Sequence, residues 1–400
     1  MGVAAVRVFR SGRGCRGAVL TGCRSGCAST VPLRALESPG RPKRARVGCP
    51  ALCPSAAAPF PGVPVKPCDA MRAAYIEELG PADVIRYGEI AAPRPGPTDV
   101  LVDVLATPVN PVDTFVRSGL FPTQVPLPFV VGRDLVGTVA EVGTGVTGFR
   151  AGDRVWCNSL GHGGRQGAAA EQAVVAVDRL YHLPEGVDPY AAVAVVHPAA
   201  TAYLALFVHG RLHVGETVLV AGAGGNVGSA LVTMAVRAGA RVLATAGARD
   251  ARYCAELGAA EVFDYRDPEL TAKIRATAPA GLDLYLDTAG VNDLETAVEL
   301  LALRGRVVLL AGIRTRPVLP AGALYAHDRS VVGFVISHAT PDELAAAAAY
   351  VNDLFARGAL RPRSTEAFPL SAAADVHARM ERGELRGRRA VLRTDLTATG

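Results

Sequence analysis

The stretch Thr217-Val218-Leu219-Val220-Ala221-Gly222-Ala223-Gly224-Gly225-Asn226-Val227-Gly228 decides the fold. A short, apolar, β-branched run enters a cluster of glycines, and a helix-like segment (residues 229–238) leaves it. Glycine lets the backbone turn sharply and lie close to a pyrophosphate. The helix that follows offers free N–H groups and the positive end of its dipole. The spacing Gly222, Gly225, Gly228 is G-x-x-G-x-x-G, not the commoner G-x-G-x-x-G. Alone, such a turn also joins strand to helix in proteins that bind nothing, so its surroundings decide. They alternate: helices at 229–238, 251–257, 269–276 and 294–302, strands at 241–246, 261–263, 282–287 and 306–311. This rhythm predicts an α/β, doubly wound parallel sheet of Rossmann type with the glycines at its first βα turn, where phosphate binds.

The second strand indicates which dinucleotide is expected. NAD-selective folds end it with an acid that grips the ribose 2′-hydroxyl. Here it ends Thr245-Ala246-Gly247-Ala248, with no carboxylate before Asp250, and Arg249 and Arg252 follow. Room for a 2′-phosphate and guanidinium groups to pair with it point to NADPH. Either arginine could equally be a solvated charge at a helix start.

Upstream, residues 72–76, 84–87, 100–106, 137–142, 154–157 and 173–177 read as short strands between Gly, Pro and Asp turns, a β-rich domain of barrel type. Between them lies Asn110-Pro111-Val112-Asp113-Thr114-Phe115-Val116-Arg117, where Asp113 and Arg117 would face each other on a helix. That pair reads either as a surface ion pair or as a site wall.

Half of the 400 residues are apolar and a fifth charged, enough for a large core and two domains, and no run of eighteen apolar residues suggests a membrane span. The net charge of +5 is uneven: residues 1–70 hold nine Arg and two Lys against Glu37 and Asp69, so residues 71–400 carry −4 and show no nucleic-acid surface. Six of the eight cysteines also fall in residues 1–70, as C-x3-C pairs (Cys23/Cys27, Cys49/Cys53) among others, without histidine. This segment lacks hydrophobic period and reads as a transit peptide, a disordered tail, or a stretch not made natively ahead of Met71; the last is preferred. No secretory h-region stands at the start, so a cytoplasmic protein with reduced Cys157 and Cys254 is expected.

The runs Asn110 to Pro122, Val131 to Gly143 (with Gly132-Arg133-Asp134) and Phe149 to Val155 (with Gly152-Asp153-Arg154-Val155) together resemble the zinc-free quinone oxidoreductase (zeta-crystallin-like) branch of the medium-chain dehydrogenase/reductase superfamily. The likeness runs from Met71 to about Leu392. It implies a GroES-like domain from residues 71–196 and 338–400, and a Rossmann domain from 197–337. Zinc alcohol dehydrogenases carry Cys and Gly-His-Glu where this chain has Asn110–Asp113 and Gly132-Arg133-Asp134, so no metal is expected.

The resemblance also assigns residues. Asn110, Asp113 and Arg117 would form the polar wall at the nicotinamide and the acceptor. Thr201, in a helix opened by His197-Pro198, would lie near the nicotinamide, and Gly333 to Ile336 would form the strand along it, with Phe334 in contact. Gly222, Gly225, Asn226, Val227, Gly228, Gly247, Arg249, Arg252 and Tyr265 would hold the phosphates and the adenosine end. Thr288, Gly290, Ala311 and Gly312 would line strand ends. Asn226 replaces a family glycine and would tolerate a positive φ. Phe115 stands where the family commonly has Tyr, which removes a proton donor. The expected activity is NADPH-dependent hydride transfer to a quinone or conjugated enone, by a homodimer or homotetramer. The alternatives are an enoyl or alkenal reductase, or a non-catalytic NADPH-binding protein of crystallin or RNA-binding type.

Overall fold

The computed structural model describes residues 70–397, so the expectations for residues 1–69 lie outside the described residues. The first half of the chain gives strands Ala70–Ile76 (β1), Arg86–Ala91 (β2) and Asp99–Pro108 (β3), then helix Pro111–Arg117 (α1). Strands Phe129–Val130 (β4), Leu135–Val142 (β5), Arg154–Cys157 (β6), Gln172–Ala176 (β7) and Tyr181–His182 (β8) follow. Helix Pro189–Tyr203 (α2) then leads into Thr217–Ala221 (β9), Asn226–Arg237 (α3), Arg241–Ala246 (β10), Ala248–Glu256 (α4) and Glu261–Asp264 (β11). Leu270–Thr277 (α5), Leu282–Asp287 (β12), Leu294–Glu299 (α6), Leu301–Leu309 (β13), Ala321–Tyr325 (α7) and Ser330–Gly333 (β14) continue the alternation. The chain closes with Pro341–Ala356 (α8), Thr365–Pro369 (β15), Ala373–Glu381 (α9) and Arg389–Arg393 (β16).

Strands β9 to β14 form one parallel sheet in the order β11-β10-β9-β12-β13-β14. The order reverses between β9 and β12, and ligands bind in the crevice at such a switch point. Its centre is covered on both faces, so Val218, Leu219 and Val220 are all fully buried instead of alternating. The remaining strands form a β-rich assembly in which β1 pairs with β2 and β4, and β3 pairs with β5, β7 and β16. In β3 the alternate residues Val100, Val102, Val104 and Ala106 point inward, each burial worth on the order of 1–3 kcal/mol for the valines. β16 runs antiparallel to β3, so the last strand of the chain lies in the sheet built by the first half.

α2 sits where these two parts meet. Its residues share a core with Ala106, Val136 and Trp156 on one side and Val218, Val220 and Leu286 on the other. Trp156 Nε1 also donates to Asn352 Oδ1 in α8 at 3.0 Å. With a wider turn at Leu204–His209, the segment Pro189–His209 is long and apolar enough to cross a membrane, but 72% of its apolar window is buried in this core. Cys157 and Cys254 are both free and buried.

Four sequence readings need correction. The segment expected as a strand at 84–87 begins as a 3-10 turn, Ala82–Val84, with β2 starting at Arg86. The helix expected at 294–302 ends at Glu299, because Leu301 already pairs with Leu282 in the sheet. The strand expected at 333–336 ends at Gly333, and Ile336–His338 is a 3-10 turn. His197-Pro198 does not open a helix: α2 starts at Pro189, capped by the Asp188 side chain, and Pro198 lies in its interior.

Candidate active site

The glycine turn is built from main chain. Gly222 takes φ +79°, and a Cβ there would meet Thr288 Oγ1 at 2.7 Å. Gly225 is the N-cap of α3, and Gly228, one turn in, brings its Cα so close to Gly222 that a Cβ would sit 2.2 Å from the Gly222 carbonyl oxygen. Asn226 is the first helical residue and does not have positive φ; the left-handed position falls on Gly222, so the tolerance expected of Asn226 is not called upon. Val227 packs half-buried behind the turn. Beside it Thr288 Oγ1 donates to Ala221 O at 2.7 Å. The Asp287 carboxylate accepts from the N–H groups of Ala289, Gly290 and Asn292. Asn292 Nδ2 donates to Ala311 O, next to Gly312 at φ +87°. Thr288, Gly290, Ala311 and Gly312 are thus held together at the carboxyl ends of β12 and β13.

A cleft of about 580 Å³ opens at this turn. Gly224, Gly225, Asn226, Arg249 and Arg252 line one side, and the segment 358–363 with Gly387 and Arg389 lines the other. The Arg249 and Arg252 side chains are 74% and 92% exposed, beside Asp250 and Glu256 respectively. Tyr265 is exposed with the Arg266 guanidinium over its ring, and it lies next to Gly247.

Behind the cleft is a buried polar network. Asp134, wholly buried in the turn before β5, accepts from Asn110 Nδ2 at 2.7 Å and bonds His197 Nδ1 at 3.0 Å. A carboxylate only accepts, so Nδ1 carries the histidine proton. Arg389 Nη2 donates to Asn110 Oδ1 at 2.7 Å, and Arg389 Nε donates to Ala194 O at 2.5 Å. The second bond follows from Pro198. Proline has no N–H, so the carbonyl four residues earlier loses its helical partner. That carbonyl is Ala194 O, and Arg389 fills the gap. Arg389 also lines the cleft, so one side chain joins the cofactor side to Asn110.

Asp113 completes this site. Its Oδ2 accepts from Asn110 N at 2.6 Å, while Oδ1 is buried without a partner. Burial, and then the charge of Asp134, push its carboxyl up to about 7. Arg133 is buried nearby, and Nε and Nη1 have no hydrogen-bond partner; burial draws its guanidinium down, opposed by the charges of Asp113 and Asp134.

Arg117 does not join the cluster, contrary to expectation. It does not face Asp113: its side chain is buried against α9, where Nη2 bonds Glu381 Oε1. There its charge adds to burial in pushing His377 down to about 3. Asp113 instead turns back over the first turn of α1 to Asn110. Thr201 Oγ1 bonds His197 O within α2, and the Phe334 ring stacks on His209 with centroids 4.2 Å apart. Asn110, Asp134, His197 and Arg389 carry the network, with Arg133 buried beside it, and of these only Asn110 is a site candidate in the sequence. The available signals were a proline inside an apolar helix and an acid directly before an apolar strand.

Among the described residues no group of three or more His, Cys, Asp or Glu could hold a metal ion. The donors around Asp134 are one amide and one imidazole, with two arginine cations close by, and this set does not fit zinc.

Residues 96–185 match the family described as alcohol dehydrogenase GroES-like domain, and residues 226–352 match the family described as zinc-binding dehydrogenase. The chain is similar to the quinone oxidoreductase of Rattus norvegicus, 34% identical over 68% of this chain and 82% of that one. A solved quinone oxidoreductase of Pseudomonas syringae pv. tomato superposes with a TM-score of 0.72 at 26% identity, covering 81% of this chain and 99% of that one. A mycobacterial protein solved in complex with NADPH superposes with a TM-score of 0.71 at 28% identity, over 81% and 99%. The parallel sheet with its glycine turn, the GroES-like half and these likenesses place the chain in the zinc-free quinone oxidoreductase branch of the medium-chain dehydrogenase/reductase superfamily, whose members are nicotinamide-dependent oxidoreductases.

Proposed function

We propose that the protein is an NADPH-dependent reductase that transfers hydride to a quinone without a metal. The observation that carries this reading is the cleft at the glycine turn, which Gly224 and Gly225 line with bare main chain and Arg249 and Arg252 line with positive charge, no acid standing between the end of β10 and Asp250. A Cβ at Gly222 would collide with Thr288 Oγ1 and one at Gly228 with the turn's own backbone, a turn of bare main chain that suits close approach by a pyrophosphate. The residues present fit the dinucleotide on that test. Gly222, Gly225 and the first N–H groups of α3 would hold the pyrophosphate, and the positive charge that arginines bring to the cleft would favour a 2′-phosphate. When bound, the cofactor supplies the hydride.

The chain's own residues orient and polarise. Asn110 is buried and fixed from both ends, its carbonyl by Arg389 and its amide by Asp134, so it holds rigid the polar wall behind the cleft that Arg389 lines. Burial and the charge of Asp134 push the Asp113 carboxyl up to about 7, so it holds its proton to higher pH than an ordinary carboxyl, and its Oδ1 has no partner. Phe115 offers no hydroxyl, so solvent supplies the proton that completes reduction of the acceptor.

The test is a turnover panel of 1,2-naphthoquinone, 9,10-phenanthrenequinone and trans-2-hexenal with NADPH and NADH side by side. Quinone turnover with NADPH preferred is expected. Turnover of the enal alone would make the protein a double-bond reductase. Preference for NADH overturns the arginine argument, and NADPH binding with no turnover of any acceptor overturns the enzyme.

A further inference from the structure

The arginines nearest in sequence to β10 are not the most firmly held in the cleft. Arg363 arrives from the opposite wall, in the segment between α8 and β15. Its Nη1 lies 2.6 Å from Asp250 Oδ1, and its guanidinium sits 4.7 Å over the Tyr253 ring. Its side chain is 32% exposed, against 74% for Arg249 and 92% for Arg252. Asp250 is pressed against the phosphate turn: a Cβ on Gly224 would come within 2.8 Å of the Asp250 Cβ. A bare carboxylate there would favour a ribose hydroxyl and repel a phosphate. Arg363 neutralises it.

We propose that Arg363 is a determinant of cofactor choice: it masks Asp250 and presents its remaining N–H donors to the 2′-phosphate from across the cleft. This rests on the NADPH reading above and names the residue that enforces it. A guanidinium can satisfy Asp250 through Nη1 and keep Nε and Nη2 for a second anion, because its five donors lie in one planar fork. Held by the ion pair and by stacking on Tyr253, it is ordered before the ligand arrives, so little side-chain entropy is lost on binding. The arrangement also has a geometric consequence. The 2′-phosphate would contact both α4 and the segment 358–363, whereas the 2′-hydroxyl of a cofactor lacking that phosphate would reach only the α4 side.

The test is equilibrium binding, by calorimetry, of NADPH, NADH, 2′,5′-ADP and 5′-AMP to the full chain, with folding checked by circular dichroism. Loss of one charge-assisted contact is expected to weaken NADPH and 2′,5′-ADP roughly ten- to a hundredfold in Arg363→Ala. NADH and 5′-AMP should change by less than about threefold, that is by less than one neutral hydrogen bond. Arg363→Lys keeps the charge but not the fork and should fall between. Adding Asp250→Asn to Arg363→Ala should restore part of the lost affinity, since the exposed carboxylate is gone. Equal weakening of phosphorylated and unphosphorylated ligands overturns the proposal, as does an unchanged ratio. If the unaltered protein prefers NADH, the NADPH reading falls and this proposal falls with it. If it prefers NADPH and Arg363→Ala leaves the preference intact, only this proposal falls.

Discussion

The glycine turn and the polar network behind it are two halves of one site built in opposite ways. The turn is twelve consecutive residues whose working groups are main chain, and it functions because side chains are missing. The network is four side chains from four separate places in the chain, Asn110, Asp134, His197 and Arg389, the first and last 279 positions apart, and it functions because each is hydrogen-bonded to another of the four. The turn should therefore fail when atoms are added, and the network when atoms are taken away.

Removal at the network should give the largest effect. Asp134→Ala leaves Asn110 Nδ2 and His197 Nδ1 without their acceptor and removes a compensating charge from Arg389 and from Arg133. Breaking a buried, hydrogen-bonded charge cluster costs about 3–5 kcal/mol, read as a shift in the denaturant midpoint at unchanged slope. A loss below about 1 kcal/mol, the size of one ordinary hydrogen bond, would show that Asn110, Asp134, His197 and Arg389 do not act as a unit.

Asp113 gives the network a pH signature that the turn lacks. Its carboxyl is near 7 in the fold and about 4 when unfolded. Below pH 4 both states hold the proton. Between 4 and 7 the unfolded chain releases it while the folded one retains it, so this group makes stability fall as pH rises and level off above 7. Three pH units correspond to at most about 4 kcal/mol. Asp134, His197 and Arg133 face the same carboxyl, so the comparison is made against Asp113→Asn, which keeps the acceptor for Asn110 N. The wild type should lose more stability than this variant between pH 5 and 8. Parallel curves would mean that Asp113 is ionised throughout.

The same contrast explains what could be read from the sequence. Strand, glycines and helix are contiguous, and the βα rhythm repeats locally. The cradle, the parallel sheet and the edges of β6, β10 and β12 were therefore legible residue by residue. The network is not, because nothing local marks Arg389 as the partner of Asn110, and Pro198, which in the sequence signals a helix start, is in the fold the reason an interior carbonyl is free. Arg117 shows the complementary error. Its spacing from Asp113 permits an ion pair, but burial against α9 supplied Glu381, and spacing carries no information about what a third element brings.

Addition at the turn comes next in size. Gly228→Ala places a methyl 2.2 Å from Gly222 O and 2.8 Å from Ala223 Cα, both backbone atoms with nowhere to move. Overpacking of this kind costs about 1–3 kcal/mol. Dinucleotide affinity should fall by one to two orders of magnitude as Gly222 shifts, a change of the same energy. Gly322→Ala in α7, where a Cβ meets nothing within 4 Å, is the matched control and should neither destabilise the fold nor weaken dinucleotide binding. If both variants behave alike, the close approach at Gly228 is not what shapes the cradle.

The smallest effect belongs to Arg252, and it sharpens the comparison most because sequence and structure rank the residue differently. By position after β10 it is a natural phosphate partner. In the fold its guanidinium is 92% exposed and tied to Glu256, one turn along α4, at 2.8 Å. Water already solvates such a group, so a phosphate gains little from it, and surface pairs of this kind contribute close to nothing. Arg252→Ala should therefore change NADPH affinity by less than about threefold at 0.15 M salt, where exposed charges are screened over some 8 Å. A tenfold loss on Arg252→Ala would mean that the exposed arginine folds over the ligand once it binds. Selectivity would then come from charge near β10 and not from the ordered guanidinium across the cleft.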